Sequence, residues 1–172
     1  GHEKLSCTVA AGAGFVLSPH LGDGDSSRLE QHYRAQRRGM LSLCGAQARL
    51  QVLDAHPDYL TRQFACPDLE TLEIQHHHAH VLAVCAEHRL AGPVLAFACD
   101  GNGYGGDGTV WGGEVLLVDG LGLQRVGSLR PFMLPGGEKA MREPRRSALG
   151  LWHALDSEQQ ALCADTIRSG FS

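Results

Sequence analysis

The sequence lacks several patterns that would by themselves assign it to a broad class. It contains no run of about 18 apolar residues, so no membrane-spanning helix and no membrane partner are expected. The formal net charge is −4, so positive charge is not in excess and no nucleic-acid partner is expected. No stretch with the pattern of a signal peptide precedes the first predicted strand, and we therefore expect a cytoplasmic protein.

Paired cysteine motifs are also missing. None of the six cysteines has CxxC spacing, and several lie in apolar runs, which predicts reduced, buried thiols. There is no internal repeat and no low-complexity linker. With 172 residues, 43% apolar and 20% charged, the chain is long enough for one domain with a substantial core.

Glycine and histidine are abundant, with 22 and 10 residues, and eight of the glycines and five of the histidines lie between Gln75 and Glu114. Periodicity predicts strands and helices that alternate along one compact unit, so the fold class is α/β. The predicted strands are Leu5–Ala10, Phe15–Ser18, Leu50–Asp54, Leu72–Ile74, Val94–Cys99, Val115–Asp119 and Leu123–Leu129. The predicted helices begin near Ser26 or Ser27, at Tyr59, at the histidine cluster, at Glu138, after Pro144 and at Ser157.

The histidine cluster holds the clearest candidate for a metal site. His76 and His80 are four residues apart, so on a helix both imidazoles face the same way and reach one ion, whereas His77 and His78 face elsewhere. Asp100 ends the strand that should lie beside this helix. Two imidazoles and one carboxylate leave coordination positions open and suit Fe²⁺ or Zn²⁺. The alternative is a polar helix start with capping histidines.

A glycine-rich stretch, Asp100–Gly108, follows the predicted buried strand Val94–Cys99. It is not a P-loop, because no Lys-Ser/Thr pair follows, and it does not open a helix as GxGxxG does. We interpret it as a hairpin loop whose backbone N–H groups bind phosphate, against the alternative of a plain tight turn. The candidate residues are Gly101, Gly103, Gly105 and Gly108.

Two further groups keep more than one interpretation. His56 lies in a loop after a strand, where it serves either as a structural hydrogen-bonding residue or in catalysis. Glu138 and the charged residues from Arg142 to Arg146 form either surface charge at a helix start or an arginine clamp for phosphate or carboxylate. No cysteine is placed like a nucleophile, so no catalytic residue is assigned.

Several blocks, in this order along almost the whole chain, resemble the HypF family of carbamoyltransferases, which serve in [NiFe]-hydrogenase maturation. The blocks are Ser18–Asp23, Asp54–Leu60, Gln75–His80, Asp100–Gly105, Asp107-Gly108, Trp111–Glu114, Leu129–Phe132, Leu134–Glu138 and Arg142–Pro144.

The resemblance implies that residues 1–172 are the N-terminal lobe of an actin-like (ribonuclease-H-like) ATPase domain, with a mixed sheet flanked by helices. The second lobe and the upstream domains of the family would lie outside this fragment, which should not catalyse alone. The resemblance also implies the metal ligands His76, His80 and Asp100. The glycine loop, together with Gly112 and Gly113, would contact nucleotide phosphates.

For function, the resemblance implies transfer of a carbamoyl group from carbamoyl-adenylate, made from carbamoyl phosphate and ATP, to the C-terminal cysteine of a HypE-type partner. One alternative is an O-carbamoyltransferase of the antibiotic or nodulation type, against which the blocks around His56 and Pro135–Gly137 argue. Another is a non-catalytic metal-binding or docking module.

Overall fold

The structure, a computed structural model, describes residues 5–12, 14–22 and 28–170. Strands precede and follow helices along the chain, which confirms the α/β class. In order, the elements are β1 (Thr8–Ala11), β2 (Gly14–Leu17), α1 (Leu29–Leu43), β3 (Leu50–Asp54), α2 (Leu60–Gln63), β4 (Glu70–Ile74), α3 (His76–His88), β5 (Val94–Tyr104), β6 (Val110–Asp119), β7 (Gly122–Ser128), α4 (Glu138–Arg142), α5 (Pro144–Ala154) and α6 (Ser157–Gly170).

Parallel and antiparallel pairing both occur, distributed over three sheets of the described chain. Strands β1 and β2 form an antiparallel hairpin, and β5, β6 and β7 form an antiparallel meander in that order. Strands β3 and β4 pair in parallel, with Asp54 opposite Ile74. Because parallel strands end at the same edge, this register brings the residues that follow β4 close to Asp54.

The core that positions the site lies between α3 and the three-stranded sheet. Leu116 of β6 is fully buried. Trp111 and Val118, also in β6, and Val81 of α3 are almost fully buried. A second cluster, formed by Leu5, Leu29 and Phe64, packs under α1 and α2. The apolar side of α3 therefore fixes this helix over β5 and β6.

The structure corrects two expectations about β5. The strand is not buried: Leu95 and Phe97 expose 58% and 72% of their surface. It also continues to Tyr104, so Gly101 and Gly103 lie in a strand, and the predicted glycine-rich loop shrinks to a turn at residues 105–109.

The start of α1 and the environment of the cysteines can also be compared with the sequence predictions. Helix α1 begins at Leu29, and the start predicted at Ser26 or Ser27 lies outside the described residues. The cysteines are free thiols as expected, but they are not buried, since Cys99 is exposed and the other five are half-buried. Within the described residues, no helix has the length and apolar character needed to cross a membrane.

Candidate metal centre

Helix α3 begins with a side-chain cap that orients its first turn. Gln75 has extended backbone dihedrals (φ −65°, ψ 140°), and its side-chain oxygen accepts the backbone N–H of His78 at 2.9 Å. From this start, His76 and His80 project from the same side of the helix. Their Nε2 atoms lie 3.2 Å apart and their rings meet edge-on. The predicted pairing of these two side chains is thus present.

Asp100 joins the two histidines from β5. Its Oδ2 lies 3.1 Å from His76 Nε2 and 3.6 Å from His80 Nε2, and its Oδ1 accepts the N–H of Gly101 at 2.7 Å. The ladder between β5 and β6 is irregular from Cys99 to Gly103, so Asp100 lies in a bulged segment of the kind that re-aims side chains near active sites. One ligand atom from each of the three residues lies within 4.8 Å of the others.

Asp54, at the end of β3, is a member of the site that the sequence analysis missed. Its Oδ2 lies 2.6 Å from His76 Nδ1, and its Oδ1 accepts the backbone N–H of His56 at 2.9 Å. A carboxylate only accepts, so the His76 ring carries a proton on Nδ1, and in the neutral ring Nε2 would present its lone pair to a metal held with His80 and Asp100. Such carboxylate–histidine pairs orient metal-binding imidazoles in proteins.

The pKa values of this pair shift in opposite directions. The hydrogen bond to Asp54 raises the pKa of His76 above its ordinary value, although burial opposes the change. Burial acts to raise the pKa of Asp54, but hydrogen bonds from His76 and from the His56 backbone outweigh burial and lower it. In the absence of a metal, each charge therefore stabilises the other.

His77 does not point away from the site as the helical spacing predicted. Its side chain is fully buried, its ring stacks parallel to Trp111, and its Nε2 lies 3.6 Å from Asp100 Oδ2. Burial lowers the pKa of His77, which keeps the ring neutral. The alternative of a polar helix start with capping histidines therefore does not fit His77, which is buried, and Gln75 supplies the cap.

This donor set fits the predicted metal. Two neutral imidazole nitrogens and one carboxylate oxygen are ligands that Fe²⁺ and Zn²⁺ accept, and three protein ligands leave positions open for a substrate. His80 is largely exposed and His76 partly so, which leaves the site accessible. A cleft of about 880 Å³ between β1, α1 and β3 reaches His76 and His80 and gives a small molecule room beside them.

Asp107 stabilises the turn between β5 and β6 by accepting hydrogen bonds. Its Oδ1 accepts hydrogen bonds from the Thr109 N–H, the Thr109 hydroxyl and Trp111 Nε1, at 3.0, 2.7 and 3.0 Å. The bonds from Thr109 lower the pKa of Asp107. Arg125 lies 4.5 Å above the Trp111 ring and donates through Nε to the buried Glu114 at 2.6 Å. This network secures Trp111, and through it the hairpin, against α3.

At three of the six predicted phosphate-contacting glycines, a Cβ would come within 3.0 Å of a neighbouring side chain. A Cβ at Gly103 would lie 2.7 Å from the His77 ring, one at Gly105 would overlap Trp111, and one at Gly113 would lie 2.5 Å from Leu129. The other three have a different environment. Gly108 has φ +76°, a Cβ at Gly101 would meet open space, and one at Gly112 would make only an ordinary contact. The phosphate role of these six residues stays a prediction.

The structure shows the contacts of His56 and of the charged residues from Arg142 to Arg146, for which the sequence left two interpretations each. His56 stacks on Tyr59 with ring centroids 4.1 Å apart, and its Nδ1 accepts the backbone N–H of Asp58. Arg145 and Arg146 both donate to Glu143, whose pKa their hydrogen bonds lower. These contacts favour structural roles, and the arginine clamp stays a prediction. The side chain of Glu138 lies outside the described residues.

Comparisons with known proteins agree on one family. Residues 1–87 match the family described as "HypF Kae1-like domain", and residues 96–169 match "Carbamoyltransferase, Kae1-like Domain, second subdomain". His76 and His80 lie in the first matched segment and Asp100 in the second.

Proteins with similar sequences belong to the same family. The chain is 39% identical over 152 residues to the carbamoyltransferase HypF of Rhizobium leguminosarum bv. viciae and 40% identical over 153 residues to that of Synechocystis sp.. Each alignment covers 88% of this chain, which spans about 20% of the length of either relative.

Solved HypF structures superpose on most of the chain. Full-length HypF in a phosphate- and nucleotide-bound form matches with a TM-score of 0.81 and 32% identity, over 99% of this chain and 24% of that one. HypF of T. kodakarensis matches with a TM-score of 0.78 and 30% identity, over 93% of this chain and 22% of that one. The actin-like fold predicted from the resemblance is confirmed. The chain belongs to the HypF Kae1-like domain family.

Proposed function

We propose that this chain is part of a carbamoyltransferase that passes a carbamoyl group from carbamoyl-adenylate to the C-terminal cysteine of a HypE-type acceptor protein in [NiFe]-hydrogenase maturation. The observation that carries the proposal is the convergence of His76, His80 and Asp100, with Asp54 orienting His76. Family membership supplies the reaction class, because the curated relatives bear the name carbamoyltransferase HypF.

In this proposal, His76 Nε2, His80 Nε2 and an Asp100 oxygen hold one Fe²⁺ or Zn²⁺. When bound, the ion supplies Lewis-acid chemistry that polarises an acyl or phosphate oxygen. Asp54 holds the His76 proton at Nδ1 and so keeps the Nε2 lone pair directed into the site. The adjoining cleft gives the carbamoyl donor a route to these side chains.

The turn at residues 105–109 is the proposed contact for the phosphates of ATP or carbamoyl-adenylate. The turn has glycine backbone at positions 105, 106 and 108, and a structure similar to this chain was determined in a phosphate- and nucleotide-bound form. Because the chain spans about a fifth of its relatives, the complete reaction would involve residues beyond the 172.

Metal binding is the first test. We expect Zn²⁺ titration to show one tight site in the wild type and its loss in His76→Ala and His80→Ala. The matched control is His88→Ala, which removes an exposed histidine from the other end of α3. A wild type without a site, or a site that survives both substitutions, would contradict the proposal.

The transfer step requires a second test in a protein that includes the remaining HypF segments. Carbamoyl phosphate and ATP are supplied together with a HypE-type acceptor, and mass spectrometry locates the added group. A carbamoyl adduct on the acceptor's C-terminal cysteine, lost with His76→Ala, is expected. Transfer to a sugar hydroxyl would instead support the O-carbamoyltransferase alternative. Metal binding without any transfer would support the docking-module alternative.

A further inference from the structure

A buried nitrogen beside the metal centre has no partner. His77 is fully buried, yet its Nε2 makes no hydrogen bond with any described residue. Orphaned polar atoms of this kind are uncommon, since leaving a buried donor or acceptor unsatisfied costs about 1–3 kcal/mol. The nearest charged atom is Asp100 Oδ2, 3.6 Å away, just beyond hydrogen-bond length.

The side-chain amide of Gln75 determines which nitrogen of His77 carries the proton. Its oxygen accepts the His78 backbone N–H, and its NH₂ group lies 3.2 Å from the Tyr104 carbonyl oxygen and 3.4 Å from His77 Nδ1. The first two contacts fix the orientation of the amide, because a backbone N–H must meet oxygen and a carbonyl must meet NH₂. An NH₂ group only donates, so Nδ1 accepts and the proton belongs on Nε2, facing Asp100.

The His77 ring has little freedom to turn away from this direction. It lies parallel to Trp111, with centroids 6.4 Å apart and planes 8° from parallel. The backbone of Gly103 lies so close that a Cβ there would be 2.7 Å from the ring. Because the side chain is fully buried, these neighbours restrict rotation of the ring and hold its Nε2 3.6 Å from Asp100 Oδ2.

We propose that Gln75 and His77 are positioning residues for Asp100. The His77 Nε2–H lies 3.6 Å from Asp100 Oδ2 and attracts it electrostatically, while the Gly101 N–H donates to Oδ1, so the carboxylate keeps the orientation in which it meets His76 and His80. Gln75 acts through His77 by fixing its tautomer. This inference rests on the proposed metal site and deepens it. Outer-shell partners of metal ligands commonly change metal affinity by about 10- to 100-fold.

Zn²⁺ affinity, measured by competition with a chromophoric chelator, tests the proposal. We expect His77→Phe, which keeps a stacking ring and loses both nitrogens, to weaken binding by about 10-fold or more. The matched control is His78→Phe. His78 is also buried, and its Nε2 has no hydrogen-bond partner among the described residues, but it forms no ion pair with Asp100. Its substitution should change the affinity by less than about twofold, since no route to the carboxylate is lost.

A double-mutant cycle isolates the role of Gln75. Gln75→Ala also removes the helix cap, so its effect is compared in two backgrounds. If Gln75 acts through His77, it weakens Zn²⁺ binding in the wild type and has no further effect in His77→Phe. Equal effects in both backgrounds would overturn the role given to Gln75.

A measurement on the wild type avoids any loss of folding in the variants. Nitrogen-15 NMR of the metal-free protein should show His77 protonated at Nε2 and not at Nδ1. Protonation at Nδ1 would overturn the inference, as would a folded His77→Phe that binds Zn²⁺ like the wild type. If the wild type binds Zn²⁺ and His76→Ala does not, the metal site stands, and either of the two results above then contradicts only the role of His77. A wild type that binds none contradicts the metal site and the inference together.

Discussion

Replacing Asp54 by Asn would test whether this carboxylate directs His76 Nε2, the proposed metal-binding nitrogen, into the site. The change is nearly isosteric, and the Asn oxygen still accepts the backbone N–H of His56. That contact directs the new NH₂ group at His76 Nδ1, 2.6 Å from the former carboxylate oxygen. An NH₂ group donates, so His76 must accept at Nδ1 and place its proton on Nε2, where the metal should bind. The variant therefore presents the wrong tautomer.

The expected loss of Zn²⁺ affinity follows from the position of Asp54, which hydrogen-bonds the ring nitrogen of His76 that does not face the proposed metal. Loss of an outer-shell partner weakens metal binding by about 10- to 100-fold, or about 1.4 to 2.8 kcal/mol. At saturating Zn²⁺ this free energy is lost from the stabilisation by the metal. For a domain of this size, 1 kcal/mol shifts Tm by about 2–4 °C, so the Zn²⁺-dependent rise in Tm should shrink by roughly 3–11 °C.

The assay compares melting with and without Zn²⁺, alongside direct titration. Asp58→Asn is the control, because Asp58 is an exposed carboxylate in the same loop. The reasoning would be refuted if Asp54→Asn bound Zn²⁺ as tightly as the wild type. It would also be refuted if Asp58→Asn weakened binding equally.

The same substitution predicts a pH dependence in the metal-free protein. The raised pKa of His76 contributes stability that is complete below about pH 6.5 and is lost as pH rises through the folded-state pKa. The lowered pKa of Asp54 contributes stability that is complete above about pH 3.9 and is lost as pH falls through its folded-state pKa. Wild type and Asp54→Asn should therefore differ most in urea stability between these values, and a difference independent of pH would contradict the ion pair.

Three further substitutions test the surroundings of the site by urea denaturation. Gly103→Ala should destabilise the fold by about 1–3 kcal/mol through overpacking against the histidine ring, whereas Gly101→Ala, which meets open space, should cost less than about 1 kcal/mol; equal costs would contradict the packing argument. Arg125→Met should cost about 2–4 kcal/mol because it leaves the carboxylate of Glu114, 4% exposed, without its ion-pair partner, and rescue by Glu114→Gln in the same chain would confirm the cause. Leu116→Ala should cost about 3–5 kcal/mol, since the side chain is fully buried, and a cost below about 1 kcal/mol would show that this core is not formed.

Local pattern was sufficient for most of the elements and for part of the site. The alternation from Leu50 to Asp54 predicted β3 with the bounds that the structure has, and the histidine spacing brought His76 and His80 together. Asp100 was predicted to join them as a strand end beside a helix start; it does join them, although β5 continues past it to Tyr104. Each of these inferences required only one element or two consecutive ones.

The missed residues depend on contacts between distant elements. Asp54 meets His76 only because β3 and β4 pair in parallel in a particular register, which the sequence of neither strand specifies. His77 is buried because the sheet covers a second side of α3, whereas the helical period alone placed it elsewhere. Gly101 and Gly103 suggested a turn because glycine has a low preference for strands. Pairing with β6 nevertheless continues the strand through both residues.

The parallel pair β3–β4 also has a consequence for folding. Every residue assigned to the metal centre lies in the continuous stretch from β3 to β5, so closing it requires only short loops and a modest loss of chain entropy. Segments with such local connectivity tend to open and close as cooperative units. Because α3 and β5 pack on β6, hydrogen exchange should reveal one protected unit spanning residues 50–128, which exchanges independently of α5 and α6, so the ligand set would stay assembled when these two helices open.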